Sequence, residues 1–119
     1  MKKDALGIMG EKITERFLIG RGFRILARRW RSGHTEIDLI AEDGDEVVFV
    51  EVKTRSGSRF GTPEESVTAK KRRELRLGAL KYLAAEGWEE RPYRIDVAAV
   101  VTEGEVPVLR YLRNAVGEN

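Results

Sequence analysis

Residues 36–55 read EIDLIAEDGDEVVFVEVKTR, two apolar runs joined by an acidic turn. Asp38 stands inside the first run, and Glu51 and Lys53 stand inside the second. Taking an ionised side chain out of water costs on the order of several kcal/mol unless it is paired. Two strands that keep an Asp, a Glu and a Lys among Val, Ile, Leu and Phe therefore have a use for them. Side chains alternate along a strand, so Glu36 shares a face with Asp38, and Glu51 shares a face with Lys53. A two-residue Asp43-Gly44 turn sets Glu36 opposite Glu51, with Asp38 on the diagonal. A four-residue turn, Asp43 to Glu46, sets Asp38 opposite Glu51 and Glu36 opposite Lys53. Any even turn gathers all four on one face, whereas an odd turn separates them unless a bulge intervenes. The Asp-Gly pair favours a two-residue turn, so the gathered arrangement is expected.

Two carboxylates a few ångström apart repel by roughly 4 kcal/mol at an effective dielectric near 20. Either one takes a proton or a cation sits between them. A hard divalent ion such as Mg²⁺ suits a site of one or two carboxylates, a backbone carbonyl and waters. Such an ion activates water and holds a phosphate oxygen, and a lysine on the same face orients the nucleophile or meets the developing charge. In outline this is a phosphodiester-cleaving site.

The 119 residues suit one domain, 1–119, with a single core. The composition is 41% hydrophobic and 35% charged. Without cysteine, disulfides and thiolate zinc sites are excluded, and one histidine makes no His-rich metal site. No stretch reads as a signal peptide or a membrane span, so the expected location is the cytoplasm. The net charge of +2 says little. Its distribution says more, because RILARRWR and KKRRELR are basic blocks between acidic stretches.

A helix is expected from about Asp4 to Gly20, with Gly22 as its stop and Leu6, Met9, Ile13 and Phe17 as its apolar stripe. Glu11 lies off that stripe. Phe23 to Trp30 reads as a strand, Gly33-His34 as a turn, and the central hairpin completes an antiparallel meander. The loop SGSRFGTPEE then leaves the strand just after Lys53 and runs beside the proposed site. Arg55 and Arg59 meet phosphates there, or serve solubility alone. Thr62-Pro63-Glu64-Glu65 has the pattern of a helix start. The helix it opens runs to about Glu86, with Gly87 as its stop. Val67, Lys71, Leu75, Gly78 and Tyr82 fall on one line along it, so Lys71 lies in the apolar lane. It either snorkels past the core or points at the site over the sheet. Lys70, Arg72, Arg73 and Arg76 lie outside that lane, as a grip for a phosphate backbone or as a solvated face. Arg94 to Val101 is a nearly apolar strand near the centre of the sheet, joined to the third by a helical, hence parallel, crossover. Asp96 within it is read as the structural partner of Arg94 or another cation. Val106 to Leu112 is an edge strand, where Pro107 is tolerated. His34 lies near a turn before Glu36, where only proximity suggests a base. Trp30 and Trp88 are read as core or rim residues.

Asp38, then Glu51-Val52-Lys53, resembles the Asp…Glu-x-Lys core of the PD-(D/E)xK, or restriction-endonuclease-like, nucleases. More closely, the chain resembles the YraN family, bacterial proteins placed beside archaeal Holliday-junction resolvases. The matching pieces are Gly10-Glu11, Glu36 to Ala41, Phe49 to Arg55, Phe60-Gly61-x-Pro63, Val67-x-x-x-Lys71, Tyr82-Leu83, Arg94-x-Asp96-Val97 and Asn114-Ala115. Thr35 stands where the family pattern has Gly. The resemblance implies an α/β, restriction-endonuclease-like fold: a mixed five-stranded sheet, an antiparallel meander plus a parallel crossover, with flanking helices. It implies a metal-dependent DNA endonuclease, structure-specific and active on junction or flap DNA in repair or recombination. Asp38 and Glu51 would hold Mg²⁺ or Mn²⁺, with the Val52 carbonyl and Glu11 or Glu36 nearby, and Lys53 would act on the attacking water. It also implies a homodimer. The alternative is an inactive nucleic-acid-binding or protein-interaction module on the same fold.

Overall fold

The computed structural model describes residues 3–57, 67–102, 104 and 106–117. Its elements are α1 (Lys3–Gly20), β1 (Arg24–Ser32), β2 (Thr35–Asp43), β3 (Glu46–Arg55), α2 (Ala69–Glu86), β4 (Tyr93–Val101) and β5 (Val108–Leu112). The strands form one sheet in the order β1-β2-β3-β4-β5. The β1–β2, β2–β3 and β4–β5 pairs are antiparallel, and β3–β4 is parallel. The expected α/β architecture is present: a mixed five-stranded sheet, built as a meander plus a helical crossover, with a helix on each face.

The two faces are apolar in different ways. Ile37, Ile40, Val47, Phe49, Ile95 and Val97 meet the buried stripe of α2, which is Leu75, Ala79, Tyr82 and Leu83. On the opposite face Leu39, Ala41, Val48, Val50 and Ala98 meet Leu18 of α1. The central strands β3 and β4 are therefore covered on both sides, which is why they read as continuous apolar runs.

Local differences from the sequence reading have physical causes. The hairpin turn is Gly44-Asp45, because Asp43 pairs with Glu46. Gly44 sits at φ 61, at the first central position, where a two-residue hairpin turn takes glycine in one of its two favoured forms. The buried line of α1 is Gly10, Thr14 and Leu18, while Ile13 and Phe17 flank it half-buried. Gly10 belongs to it because a Cβ there would run into the Thr54 hydroxyl of β3, so the helix approaches the sheet through a residue without a side chain. The second helix begins at Ala69, not after Thr62. Thr68 is extended at φ −70, ψ 166, and its hydroxyl accepts the Lys71 N–H at 3.1 Å as an N-cap. Thr62-Pro63-Glu64-Glu65 lies outside the described residues. Gly87 ends α2 at φ 72, as expected. The last strand begins at Val108 rather than Val106 and forms one edge of the sheet.

A buried polar network closes the far side of β4. Asp96 is fully buried and accepts hydrogen bonds from Arg94 Nε (3.1 Å), the Tyr111 hydroxyl (2.5 Å) and the Asn114 N–H (2.7 Å). Arg94 also reaches Glu46 at 2.5 Å. This is the structural pairing expected for Asp96, and it ties β4 to β5 and to the start of β3. No helix among the described residues is long and apolar enough to cross a membrane.

Candidate active site

The site lies where β2 and β3 part. Their ladder runs from Asp43↔Glu46 to Leu39↔Val50, and Leu39↔Val50 is its last pair. In β2, Ile37 and Leu39 are two residues apart yet pack on opposite faces of the sheet. Alternation is therefore broken at Asp38. Across β1 the matching residue is Arg29, between the pairs Arg28↔Leu39 and Trp30↔Ile37, and it holds φ 49, unusual for a residue with a side chain. Both strands change face at this one level. The two-residue turn has the even length that gathers the carboxylates, and its register sets Asp38 level with Glu51. The break is an addition that regular alternation does not foresee, and it displaces Ile37 rather than Asp38 from the expected face.

Asp38 reaches across to β3. Its Oδ2 accepts the Val52 N–H at 2.8 Å, filling the place a strand carbonyl would take. Its carboxyl also lies within hydrogen-bond reach of Glu51. Glu51 is buried on the α2 side of β3, and its Oε2 lies 3.4 Å from Lys71 Nζ and 3.7 Å from Lys53 Nζ. The side chains of Lys53 and Lys71 are 23% and 31% exposed, so both ammonium groups stay at the edge of solvent. Asp38, Glu51, Lys53 and Lys71 thus meet, from two strands and the first turn of a helix.

The electrostatics follow from this crowding. Burial pushes the Asp38 carboxyl well above its ordinary range, to about 8, with the neighbouring Glu51 adding to the effect and the Val52 N–H opposing it. At neutral pH Asp38 therefore favours its protonated form. A carboxyl held protonated beside a second carboxyl also has the chemistry to accept a cation in place of its proton.

Glu11 and Glu36 are each held by an arginine instead, though the charge of Glu11 still bears on Asp38 and adds to its raised pKa. Glu11 accepts from Arg29 Nε at 2.9 Å, and Glu36 from Arg31 Nε at 2.6 Å. Among the described residues, no group of three or more carboxylate or imidazole side chains is placed to hold a metal ion. The sequence carried a signal for these pairings: the Gly33-His34 turn sets Arg31 opposite Glu36. What it did not reveal is the role of the Val52 main chain as donor to Asp38. His34 is exposed beyond the turn, and Trp30 and Trp88 pack half-buried against the core.

Two groups of basic residues differ in their partners. In β1, Arg24, Arg28, Arg29 and Arg31 each face a carboxylate: Glu42, Glu15, Glu11 and Glu36. At the start of α2, Lys70, Arg72 and Arg73 are exposed, and no ion pair engages them among the described residues. No acidic residue occupies the first turn of that helix. Three such cations in one helical turn concentrate positive charge beside Lys71. Arg55 is half-buried at the end of β3, and Arg59 lies outside the described residues.

A sequence profile described as uncharacterised protein family UPF0102 matches residues 10–100. A UPF0102 protein of Nocardia farcinica is 46% identical over 112 residues, covering 93% of this chain and 88% of that protein. Another, from Symbiobacterium thermophilum, is 55% identical over 97 residues, covering 80% of each. Among solved structures, the calcium complex of SfsA from Pyrococcus furiosus superposes with a TM-score of 0.41 at 17% identity. That superposition covers 94% of this chain and 64% of the other, and it is too loose to align a site.

Proposed function

The chain belongs to the uncharacterised protein family UPF0102, the YraN family, and for this member we propose a metal-dependent DNA endonuclease on a restriction-endonuclease-like fold. The observation that supports it best is the half-buried Asp38 beside the buried Glu51, with two lysine ammonium groups converging on Glu51. The donor set is hard oxygen throughout. Asp38, Glu51 and the Val52 carbonyl suit Mg²⁺ or Mn²⁺, ions that keep several waters and need only one or two carboxylates. When bound, such an ion supplies a more acidic water and offsets charge on the phosphate.

The chain's own residues do the rest. Asp38 is locked by the Val52 N–H, so its free oxygen has a fixed direction. Lys53, held on β3 beside Glu51, orients the attacking water or takes its proton. Lys70, Arg72 and Arg73 hold the phosphate backbone beside the site. Arg55 and Arg59 extend that grip along the segment after β3. Recognition rests on backbone shape and charge, since no element carries a base-reading motif. The substrate class is branched or flapped DNA, cut by a cytoplasmic homodimer. Glu11 and Glu36 join the metal site only if Arg29 and Arg31 release them.

A second reading is a binding module that no longer cuts. It is favoured by the self-sufficiency of the cluster, in which a protonated Asp38 and two lysines already balance the carboxyls. Incubation of single-stranded, duplex, flapped and four-way DNA with Mn²⁺ separates the two. The nuclease reading expects product that requires Asp38, Glu51 and Lys53. A rate no higher than that of Lys53→Ala would sink it.

A further inference from the structure

Two ammonium groups approach one oxygen of a buried carboxylate, but they are tethered differently. Lys53 belongs to β3, which pairs with β4 from Val47 through Arg55, so its backbone has no freedom to withdraw. Lys71 projects from the first turn of a separate helix. The body of that helix packs on β2, where Gly78 lies against Thr35 and Ile37. The long side chain of Lys71 reaches Glu51 from the same turn that carries the exposed Lys70, Arg72 and Arg73.

Four consecutive basic residues at the start of a helix are electrostatically unfavourable. They repel one another, and they sit at the positive end of the helix dipole with no acidic residue in that turn. Of the four, Lys71 alone has an ion-pair partner among the described residues, and that partner is Glu51. Anything that neutralises Glu51 from inside the site removes the attraction that holds Lys71 inward. The ammonium group then faces an added positive charge and shares its turn with a cluster of cations. An anion outside the turn becomes its best available partner.

We propose that Lys71 is a cation-responsive switch, pairing with Glu51 in the metal-free protein and turning to a DNA phosphate once a divalent ion takes that carboxylate. This rests on the nuclease reading above and adds to it a coupling between two ligands. Coupling of this kind is reciprocal: if the ion frees Lys71 for DNA, DNA tightens binding of the ion by the same factor.

The test uses Ca²⁺ as the probe ion, followed by calorimetry, and a fluorescein-labelled four-way DNA followed by anisotropy. Lys71→Met is expected to bind Ca²⁺ on the order of tenfold more tightly than the parent when DNA is absent, because the resident competitor is gone. The parent is expected to bind DNA more tightly with Ca²⁺ than without it, and Lys71→Met to lose most of that gain. Lys71→Arg, which keeps the positive charge, should restore both behaviours. If the parent binds Ca²⁺ through Asp38 but Lys71→Met binds it no better, the switch is wrong and the nuclease reading stands. If the parent shows no Ca²⁺ binding that Asp38→Ala abolishes, both fall together.

Discussion

Asp38 and Val52 are joined across a gap in the sheet: the carboxylate oxygen of one accepts the main-chain N–H of the other at 2.8 Å. A side chain thus stands in for a strand backbone, and the carboxyl that does so is fixed in direction and crowded by Glu51.

The crowding makes stability depend on pH. The Asp38 carboxyl is raised in the folded protein to about 8, so the folded state holds a proton that the unfolded chain releases near its ordinary carboxylate value. The stabilising contribution is therefore fully present below about pH 4 and is lost as pH rises through about 8. Asp38→Asn imitates the protonated form, accepting from Val52 and donating to Glu51. In metal-free buffer its melting temperature should change less than that of the parent between about pH 5 and pH 9, and it should exceed the parent at the alkaline end by several degrees. Equal slopes for the two proteins would show that Asp38 does not carry the dependence.

Gly10 and Thr54 form the closest approach of α1 to the sheet. A methyl group at Gly10 meets the Thr54 hydroxyl, and that hydroxyl is buried with no hydrogen-bond partner among the described residues. Gly10→Ala should cost roughly 1–3 kcal/mol in urea unfolding, the usual range for overpacking. Thr54→Ala removes the obstructing atoms, so the second substitution should cost clearly less in that background. Equal costs in both backgrounds would place the effect elsewhere in the helix.

On the far side of β4, Asp96 is the hub of a network that leaves Arg94 5% exposed. Asp96→Asn takes the buried charge partner from Arg94 but leaves it Glu46, so roughly 1–3 kcal/mol is expected. Tyr111→Phe removes one donor to the same carboxylate and should cost about 1 kcal/mol. Neither change touches the Asp38–Glu51 cluster, so any metal affinity should survive in whatever fraction stays folded. Equilibrium unfolding together with calorimetry checks both parts.

The division between paired and unpaired arginines makes a prediction about salt. Lys70, Arg72 and Arg73 each offer a charge to a phosphate. Replacing them together by Gln should weaken DNA binding and lower the slope of log affinity against log salt by roughly 0.9 for each phosphate no longer neutralised. Arg24→Gln and Arg28→Gln remove charges already engaged by Glu42 and Glu15, and the slope should hardly move. Equal effects from both sets would mean that the basic start of α2 is not the surface that meets DNA.

Much of this arrangement is legible in the sequence. The acidic turn marks the hairpin, the spacing of Val67, Lys71 and Leu75 puts Lys71 in the apolar lane, and Gly87 marks the end of α2. Asp38, Glu51, Lys53 and Lys71 do come together. What the sequence hides is the break at Asp38 and Arg29, because a change of face costs no particular residue type; it shows only in Ile37 and Leu39 packing on opposite sides. Glu36 shares its strand with Asp38 yet is held by Arg31, a choice between two partners that alternation cannot make. The start of α2 also differs from the expected one. Thr68 is extended and caps α2, a role its sequence context did not single out, while Thr62-Pro63 lies outside the described residues.

The parallel pairing of β3 with β4 matches Val47 to Tyr93, so the strand that carries Glu51 and Lys53 waits for its neighbour until α2 has been made. During synthesis, β1, β2 and β3 leave the ribosome as one run of near-neighbour hairpins, with the carboxyls and Lys53 already among them. The opposite edge of β3 then presents unpaired main-chain groups along Val47 to Arg55, an apolar stretch open to pairing with another nascent chain. Long-range parallel pairing is slow to form and leaves such edges exposed. The same strand that builds the site is therefore the one most in need of protection while the protein is being born.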